Sequence, residues 1–202
     1  LCSKKNKVSS HYLISQEGKI YSLVSEKKRA WHAGQSYWRG RTDINSISIG
    51  IELDFSPSDI NNKFTLKLNS ALIFLLTKLL KKYQISNENI LGHSDIAPYR
   101  KIDPGKFFPW QMLENKKLSY RPQFLNKSEI KNSVKKEWLN NNKLNSIKKK
   151  ILFMLNFIGY DISLALKNKI YFDQLINAYS SHYRIYKNYY YTKKKIFNDI
   201  EG

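Results

Sequence analysis

Apolar and polar positions alternate first between residues 8 and 24. Two short runs, His11-Tyr12-Leu13-Ile14 and Ile20-Tyr21-Ser22-Leu23-Val24, flank the polar Gln16-Glu17-Gly18. The pattern predicts two strands joined by a turn, with Gly18 available for a positive φ. A third strand is predicted over 46–55, where Ile47, Ile49, Ile51 and Leu53 share one face and Ser46, Ser48, Gly50, Glu52 and Asp54 the other. The period then lengthens. Leu68, Leu72, Leu75, Leu76, Leu79 and Leu80 mark a helix over 65–83, and Lys78, Lys81 and Lys82 suit the negative end of its dipole. Ile90-Leu91-Gly92-His93 reads as a short strand ending on a histidine. Residues 94–110, with three Pro and one Gly, read as loop.

Beyond position 121 the character changes. Residues 122–145 are rich in Lys, Asn and Ser and poor in apolar side chains, as in a linker. Helical periodicity returns over Ile147–Ile158, closed by Gly159, and again over Leu164–Tyr183. Arg184–Ile200 alternates Tyr and Lys without a clear period. The expected organisation is an α/β domain over 1–121, a linker over 122–145 and a small helical module over 146–202.

Composition narrows the classes. A chain of 202 residues is long enough to bury a core without disulfides. The single Cys2 leaves neither a disulfide framework nor a cysteine-built zinc site. An apolar fraction of 42% with 14 Tyr, 10 Phe and 4 Trp excludes a disordered chain. No apolar run reaches the roughly 18 residues of a membrane span. The net charge of +19 points toward a polyanion, but it is evenly spread: 20 basic against 10 acidic residues up to Arg121, and 15 against 6 after it. That spread argues against a dedicated nucleic-acid surface. The opening Leu1-Cys2-Ser3-Lys4 has no initiator Met and no signal-peptide core, so the chain is expected to be truncated.

The chemistry-bearing residues cluster in Gly92-His93-Ser94-Asp95-Ile96-Ala97-Pro98-Tyr99-Arg100-Lys101-Ile102-Asp103-Pro104-Gly105. His93 and Asp103, ten residues apart across a proline-stiffened loop, are a candidate imidazole–carboxylate metal pair; the plainer alternative is two satisfied loop residues. Lys101 is placed to meet a developing oxyanion. Glu52, on the polar face of an apolar strand, is either a strand-end Glu paired with a Lys or a general acid/base facing a cleft. Trp31, Trp38 and Arg39 suit sugar stacking and carboxylate binding, though Trp31 serves equally as a core cap. His11 reads as a satisfied core histidine, His32 as a cleft-lining residue and His182 as an exposed one. Tyr183, Tyr186, Tyr189, Tyr190 and Tyr191 either stack on glycan or bases or pack on their own module.

Three segments together resemble the type 2 N-acetylmuramoyl-L-alanine amidases, the AmpD/AmiD-like zinc amidases. They are Val8-Ser9-Ser10-His11-Tyr12-Leu13-Ile14; Ala30-Trp31-His32-Ala33-Gly34 through Trp38-Arg39-Gly40 to Ser48-Ile49-Gly50-Ile51-Glu52-Leu53; and Gly92-His93-x-Asp95-Ile96-Ala97-Pro98 through Lys101-x-Asp103-Pro104-Gly105 to Phe108-Pro109-Trp110. The match covers residues 1 to about 120 and is nearest the AmiD-like branch, whose members carry a C-terminal peptidoglycan-binding module. The resemblance implies a central mixed β-sheet flanked by helices, lacking its first strand here. It also implies a Zn2+ cofactor held by His93 and Asp103, with the remaining histidine ligand upstream of this chain. Glu52 takes the place of the catalytic acid/base and Lys101 that of the residue steadying the tetrahedral intermediate, while Trp31, His32, Trp38 and Arg39 line the substrate cleft. The implied substrate is peptidoglycan or a muropeptide, cut by a monomer at the amide between N-acetylmuramic acid, or its 1,6-anhydro form, and L-alanine. It acts in the cell envelope or in cytoplasmic recycling, and needs no nucleic acid or membrane segment. The rival readings are a peptidoglycan-binding remnant without catalysis and a basic nucleic-acid binder.

Overall fold

The computed structural model describes residues 8–55, 63–120, 140 and 146–183. The Leu1–Lys7 start, the linker, and the Tyr/Lys stretch after Tyr183 lie outside them. Strands β1 (Tyr12–Ile14), β2 (Ile20–Ser22) and β3 (Ile51–Leu53) form a mixed sheet in the order β2-β1-β3. β1 runs antiparallel to β2 and parallel to β3, with Leu13 opposite Tyr21 on one side and Glu52 on the other. Gly18 takes φ +80° in the β1–β2 turn. A Cβ there would sit 2.7 Å from the Lys67 carbonyl oxygen, so both conformation and space favour glycine.

β3 is shorter than the alternation of 46–55 predicts. Residues Ile44–Ser46 form a 3-10 turn, and the Ser48 hydroxyl donates to the Ile44 carbonyl at 2.6 Å. A serine that bonds its own upstream backbone competes with a ladder. Ile47 is consequently exposed, while Ile49, Ile51 and Leu53 pack into the core as expected.

Helix α1 (Leu66–Tyr83) lies against the sheet, its first turn capped by the Thr65 hydroxyl, which accepts from the Leu68 N–H. Its leucine face meets Ile14, Phe64, Phe108, Trp110 and Leu113, the core on which β3 also rests. The last turn is pinned to β1 through one carboxylate. Glu26 accepts hydrogen bonds from the Tyr12 and Tyr83 hydroxyls and pairs with Lys82. Those donors hold its pKa at about 2, well under the usual 4.5. A depressed carboxylate stabilises the fold above its unfolded pKa and loses that contribution as pH falls through the folded one. Glu26→Gln should therefore cost about 1 kcal/mol at pH 7, after allowing for solvent screening. Denaturant melts should show that gap closing between about pH 4.5 and pH 2.

No strand forms over Ile90–His93. The Asp95 carboxylate accepts the Gly92 N–H at 2.6 Å and turns the chain, so that His93 opens a four-residue helix, α2 (His93–Ile96). Helix α3 (Trp110–Asn115) follows. Helix α4 (Ile147–Ile158) begins at a Ser146 cap and ends at Gly159, as its sequence predicts. Helix α5 (Lys169–Tyr183) starts later than expected because Asn168 accepts the Tyr171 N–H and resets the start.

The two C-terminal helices share a core with the residues before 121. Ile151, Leu152, Leu155, Phe172 and Leu175 cluster with Ala33, Trp38, Ile44 and Ile96. The stretch after α4 is stapled as well: Arg39 donates to the Ile158 and Gly159 carbonyls, and the Tyr99 hydroxyl to that of Asp161. Among the described residues no helix is long and apolar enough to cross a membrane.

Candidate active site

The loop from Gly92 to Gly105 folds back on itself, because the Ser94 N–H donates to the Asp103 carbonyl at 2.9 Å. His93 Nδ1 and Asp103 Oδ2 then meet at 3.0 Å. His93 Nε2 lies 3.1 Å from the Ala33 carbonyl. An Nε2–H donated there is the outer bond that metal-ligating histidines make, and it leaves Nδ1 as the atom that meets the Asp103 carboxylate. Burial pushes the Asp103 carboxyl up, but the bond and charge of His93, its own backbone and Lys101 outweigh it, and its pKa falls below the usual range. These two donors fit a zinc site in type and direction. Among the described residues no cluster of three His, Cys, Asp or Glu forms.

The Ala30–Gly34 loop forms the facing wall. Asn45, itself buried, accepts the N–H groups of His32 and Ala33 on one oxygen at 2.9 and 2.8 Å. The Arg100 guanidinium reaches the Ala33 and Gln35 carbonyls at 2.9 and 2.8 Å. His93 and Arg100 thus grip one carbonyl, and the His93–Asp103 loop and the aromatic loop are fixed together. Neither Asn45 nor Arg100 stands out in the sequence, since each acts through backbone atoms distant along the chain.

His11 is buried with both ring nitrogens used. Nδ1 accepts the Gly50 N–H at 3.0 Å, so Nε2 carries the proton toward the Lys28 carbonyl. It is the satisfied core histidine expected. His32 stands edge-on to it, ring centroids 5.4 Å apart. Its Nε2 donates to the Ser48 hydroxyl, whose own proton is committed to Ile44. Burial, then the neighbouring His11 and His93, hold its pKa down at about 4, so the ring is neutral at pH 7.

Gly50 explains how β3 passes so close to these rings. A Cβ there would stand 2.3 Å from His32 Cγ and 2.7 Å from Nδ1. Its face of the strand therefore looks toward His32, and Glu52, two residues on, shares that face. Glu52 is half-buried and forms no ion pair with any lysine among the described residues. Gly50→Ala should force the imidazole aside at a cost of about 1–3 kcal/mol. A lower Tm together with displaced His32 NMR signals is the expected result.

The other three cleft-lining candidates, Trp31, Trp38 and Arg39, are placed differently from one another. Trp31 is 53% exposed, with the Arg29 guanidinium 4.2 Å from its ring centre, so it caps no core. Trp38 is buried where Trp31 is open. It is 6% exposed and packed edge-on against Tyr160, because its bulk fills the seam between the N-terminal loop and the C-terminal helices. Arg39 is spent on the end of α4 and on Glu88, 3.3 Å away. Lys101 is half-buried beside Asp103, and Ile102 between them is fully open to solvent.

His182 is a further correction. Expected to be exposed, it is 3% exposed and donates Nδ1–H to Asp95 at 2.7 Å. Phe172, Leu175, Ala178 and His182 mark one face of α5, a period the polar neighbours Ser180 and Ser181 obscure.

The N-acetylmuramoyl-L-alanine amidase family matches residues 1–106. AmiD of Escherichia coli is 39% identical over 137 residues, covering 57% of this chain and 46% of that protein. The 1,6-anhydro-N-acetylmuramyl-L-alanine amidase AmpD of Haemophilus influenzae is 42% identical over 106 residues, covering 52% and 56%. The chain thus spans about half the length of these relatives. Among solved structures, E. coli AmiD with anhydro-N-acetylmuramic acid-L-Ala-D-gamma-Glu-L-Lys matches at TM-score 0.71 and 31% identity, covering 89% of this chain and 72% of that one. AMPDH3 of Pseudomonas aeruginosa, with anhydromuramic pentapeptide, matches at TM-score 0.72 and 29% identity, covering 87% and 73%.

Proposed function

We propose, from the premise that this chain belongs to the N-acetylmuramoyl-L-alanine amidase family, that it hydrolyses the amide joining N-acetylmuramic acid, or its 1,6-anhydro form, to the L-alanine of a peptidoglycan stem peptide. The observation that carries this reading is the meeting of His93 Nδ1 and Asp103 Oδ2 at 3.0 Å, with the other imidazole nitrogen tied to Ala33. The relatives' names and the muropeptides bound to two solved neighbours agree with it.

His93 and Asp103 would hold a zinc ion as two of the three protein ligands usual in catalytic sites. When bound, the ion supplies Lewis-acid chemistry: it polarises a carbonyl and acidifies water. The chain's own groups do the rest. Glu52, whose strand face looks toward His32, takes a proton from the attacking water and returns it to the departing alanine nitrogen. Lys101 brings a fixed positive charge to the carbonyl oxygen as that oxygen becomes negative. The Ala33 carbonyl keeps the His93 proton on Nε2, so Nδ1 stays a ligand. Neutral His32 adds no competing positive charge beside the metal pair. Trp31, exposed at the rim, offers an aromatic face for a sugar ring. That substrate class is met at the cell envelope and in the recycling of released wall fragments, and the proposed work belongs to one of these.

The test is mass spectrometry of an anhydromuramyl-tripeptide incubated with the protein, with zinc and then with a chelator. Free tripeptide should appear and should stop appearing once the metal is withdrawn. Binding of the muropeptide with no release under either condition would overturn the reading in favour of a wall-binding protein without catalysis.

A further inference from the structure

We propose that His182, on the C-terminal helix, is a positioning residue for the His93/Asp103 pair, acting through the buried carboxylate of Asp95. The inference rests on the metal-dependent reading above.

Asp95 has no exposure to solvent, and its two oxygens are surrounded by donors from three places in the chain. The Tyr160 hydroxyl reaches Oδ1 at 2.5 Å. The Gly92 N–H and the His182 Nδ1–H meet on Oδ2 at 2.6 and 2.7 Å. Gly92 directly precedes His93, and Asp95 lies in the same turn, so the carboxylate fixes the backbone on both sides of that ligand. Ser94, between them, holds the Asp103 carbonyl at 2.9 Å. The path from His182 to the backbone of both donors therefore runs through hydrogen bonds and the short stretch of chain from Gly92 to Asp95.

His182 is built to face one way. Its ring is stacked between Trp110, 3.6 Å away at 18°, and Tyr183, 3.9 Å away at 11°. Nε2 is buried with no hydrogen-bond partner among the described residues. An apolar ring would fill this slot without that unmet nitrogen, so packing alone does not call for an imidazole here. The side of the ring that matters is the one aimed at Asp95. Without it, a buried carboxylate shared by the metal-pair loop loses one of its few donors and draws in water or turns away. Either response releases the Gly92 turn.

Two variants separate the roles of His182. His182→Phe keeps the aromatic stack and removes the donor. His182→Asn gives up the stack and keeps a donor near the place of Nδ1. For each, zinc and cobalt affinity is measured alongside two signals that need no metal: the 15N shifts of the His93 imidazole and the exchange rate of the Gly92 amide. The Phe variant should bind zinc about tenfold more weakly, the low end for residues supporting a metal ligand. Its His93 shifts should move toward a mixture of tautomers and Gly92 exchange should quicken, with the Asn variant recovering most of both. Tyr160→Phe removes another donor from Asp95 and should move the same two signals if the Phe variant at 182 does not fold. Unchanged His93 shifts and Gly92 exchange in a folded His182→Phe protein would overturn the positioning role. Wild-type protein that takes up no metal, while His93 and Gly92 still respond to position 182, would overturn the metal reading and keep the positioning role.

Discussion

Glu52→Gln should lower turnover of an anhydromuramyl-peptide by about 100- to 10,000-fold, the range supplied by a positioned proton-transfer group. The substitution keeps side-chain size and hydrogen-bonding shape and removes the ability to take and return a proton. The carboxylate sits half-buried on β3 and makes no ion pair among the described residues, so little structure depends on its charge. The Tm should stay within about 1–2 °C of wild type, as for a substitution that breaks no buried network. KM should change little, because the loss falls on the transition state. Steady-state kinetics beside a thermal melt checks all three. A wild-type kcat in the folded variant would show that some other group moves the proton, and neutral His32 would be the next to test.

Asp95→Ala carries the second large effect, and it falls on stability. The substitution leaves the Tyr160 hydroxyl, the His182 ring N–H and the Gly92 amide without their acceptor in a region closed to water. Removing one partner from a buried charged network costs about 3–5 kcal/mol. Against a typical total of about 5–15 kcal/mol, that is a large share. For a chain of this length it should lower the Tm on the order of 10 °C. Near-ultraviolet circular dichroism should change with it, since Trp110, His182, Tyr183 and Tyr160 crowd around the lost carboxylate. A Tm within about 2 °C of wild type would mean that water replaces the carboxylate at little cost.

The local half of the structure was legible and the long-range half was not. Helix α1 was readable almost to the residue, because its leucine spacing is a local signal. The β1–β2 turn and the Gly159 stop were readable for the same reason. Where a side chain bonds its own backbone, as Ser48 and Asp95 do, a strand pattern gave way to a turn. His93 and Asp103 were found as a pair because the loop between them is short, and the structure brings them together. The burial of Trp38 was not legible because its neighbours across the seam, Tyr160 and the C-terminal helices, lie more than a hundred residues on. Asp95 and His182 each looked ordinary in isolation, and only the fold makes them partners.

That partnership has a consequence in time. Asp95 and His182 are separated by 87 positions. At about 5–20 residues per second, a ribosome adds the second roughly 4–17 s after the first. For most of that interval the segment carrying His93 and Asp103 is already made, while the His182 donor that will hold its central carboxylate is not. Ordering of the loop from Gly92 to Gly105 is thereby tied to synthesis of α5, and nascent chains halted before that helix would carry His93 and Asp103 without their scaffold.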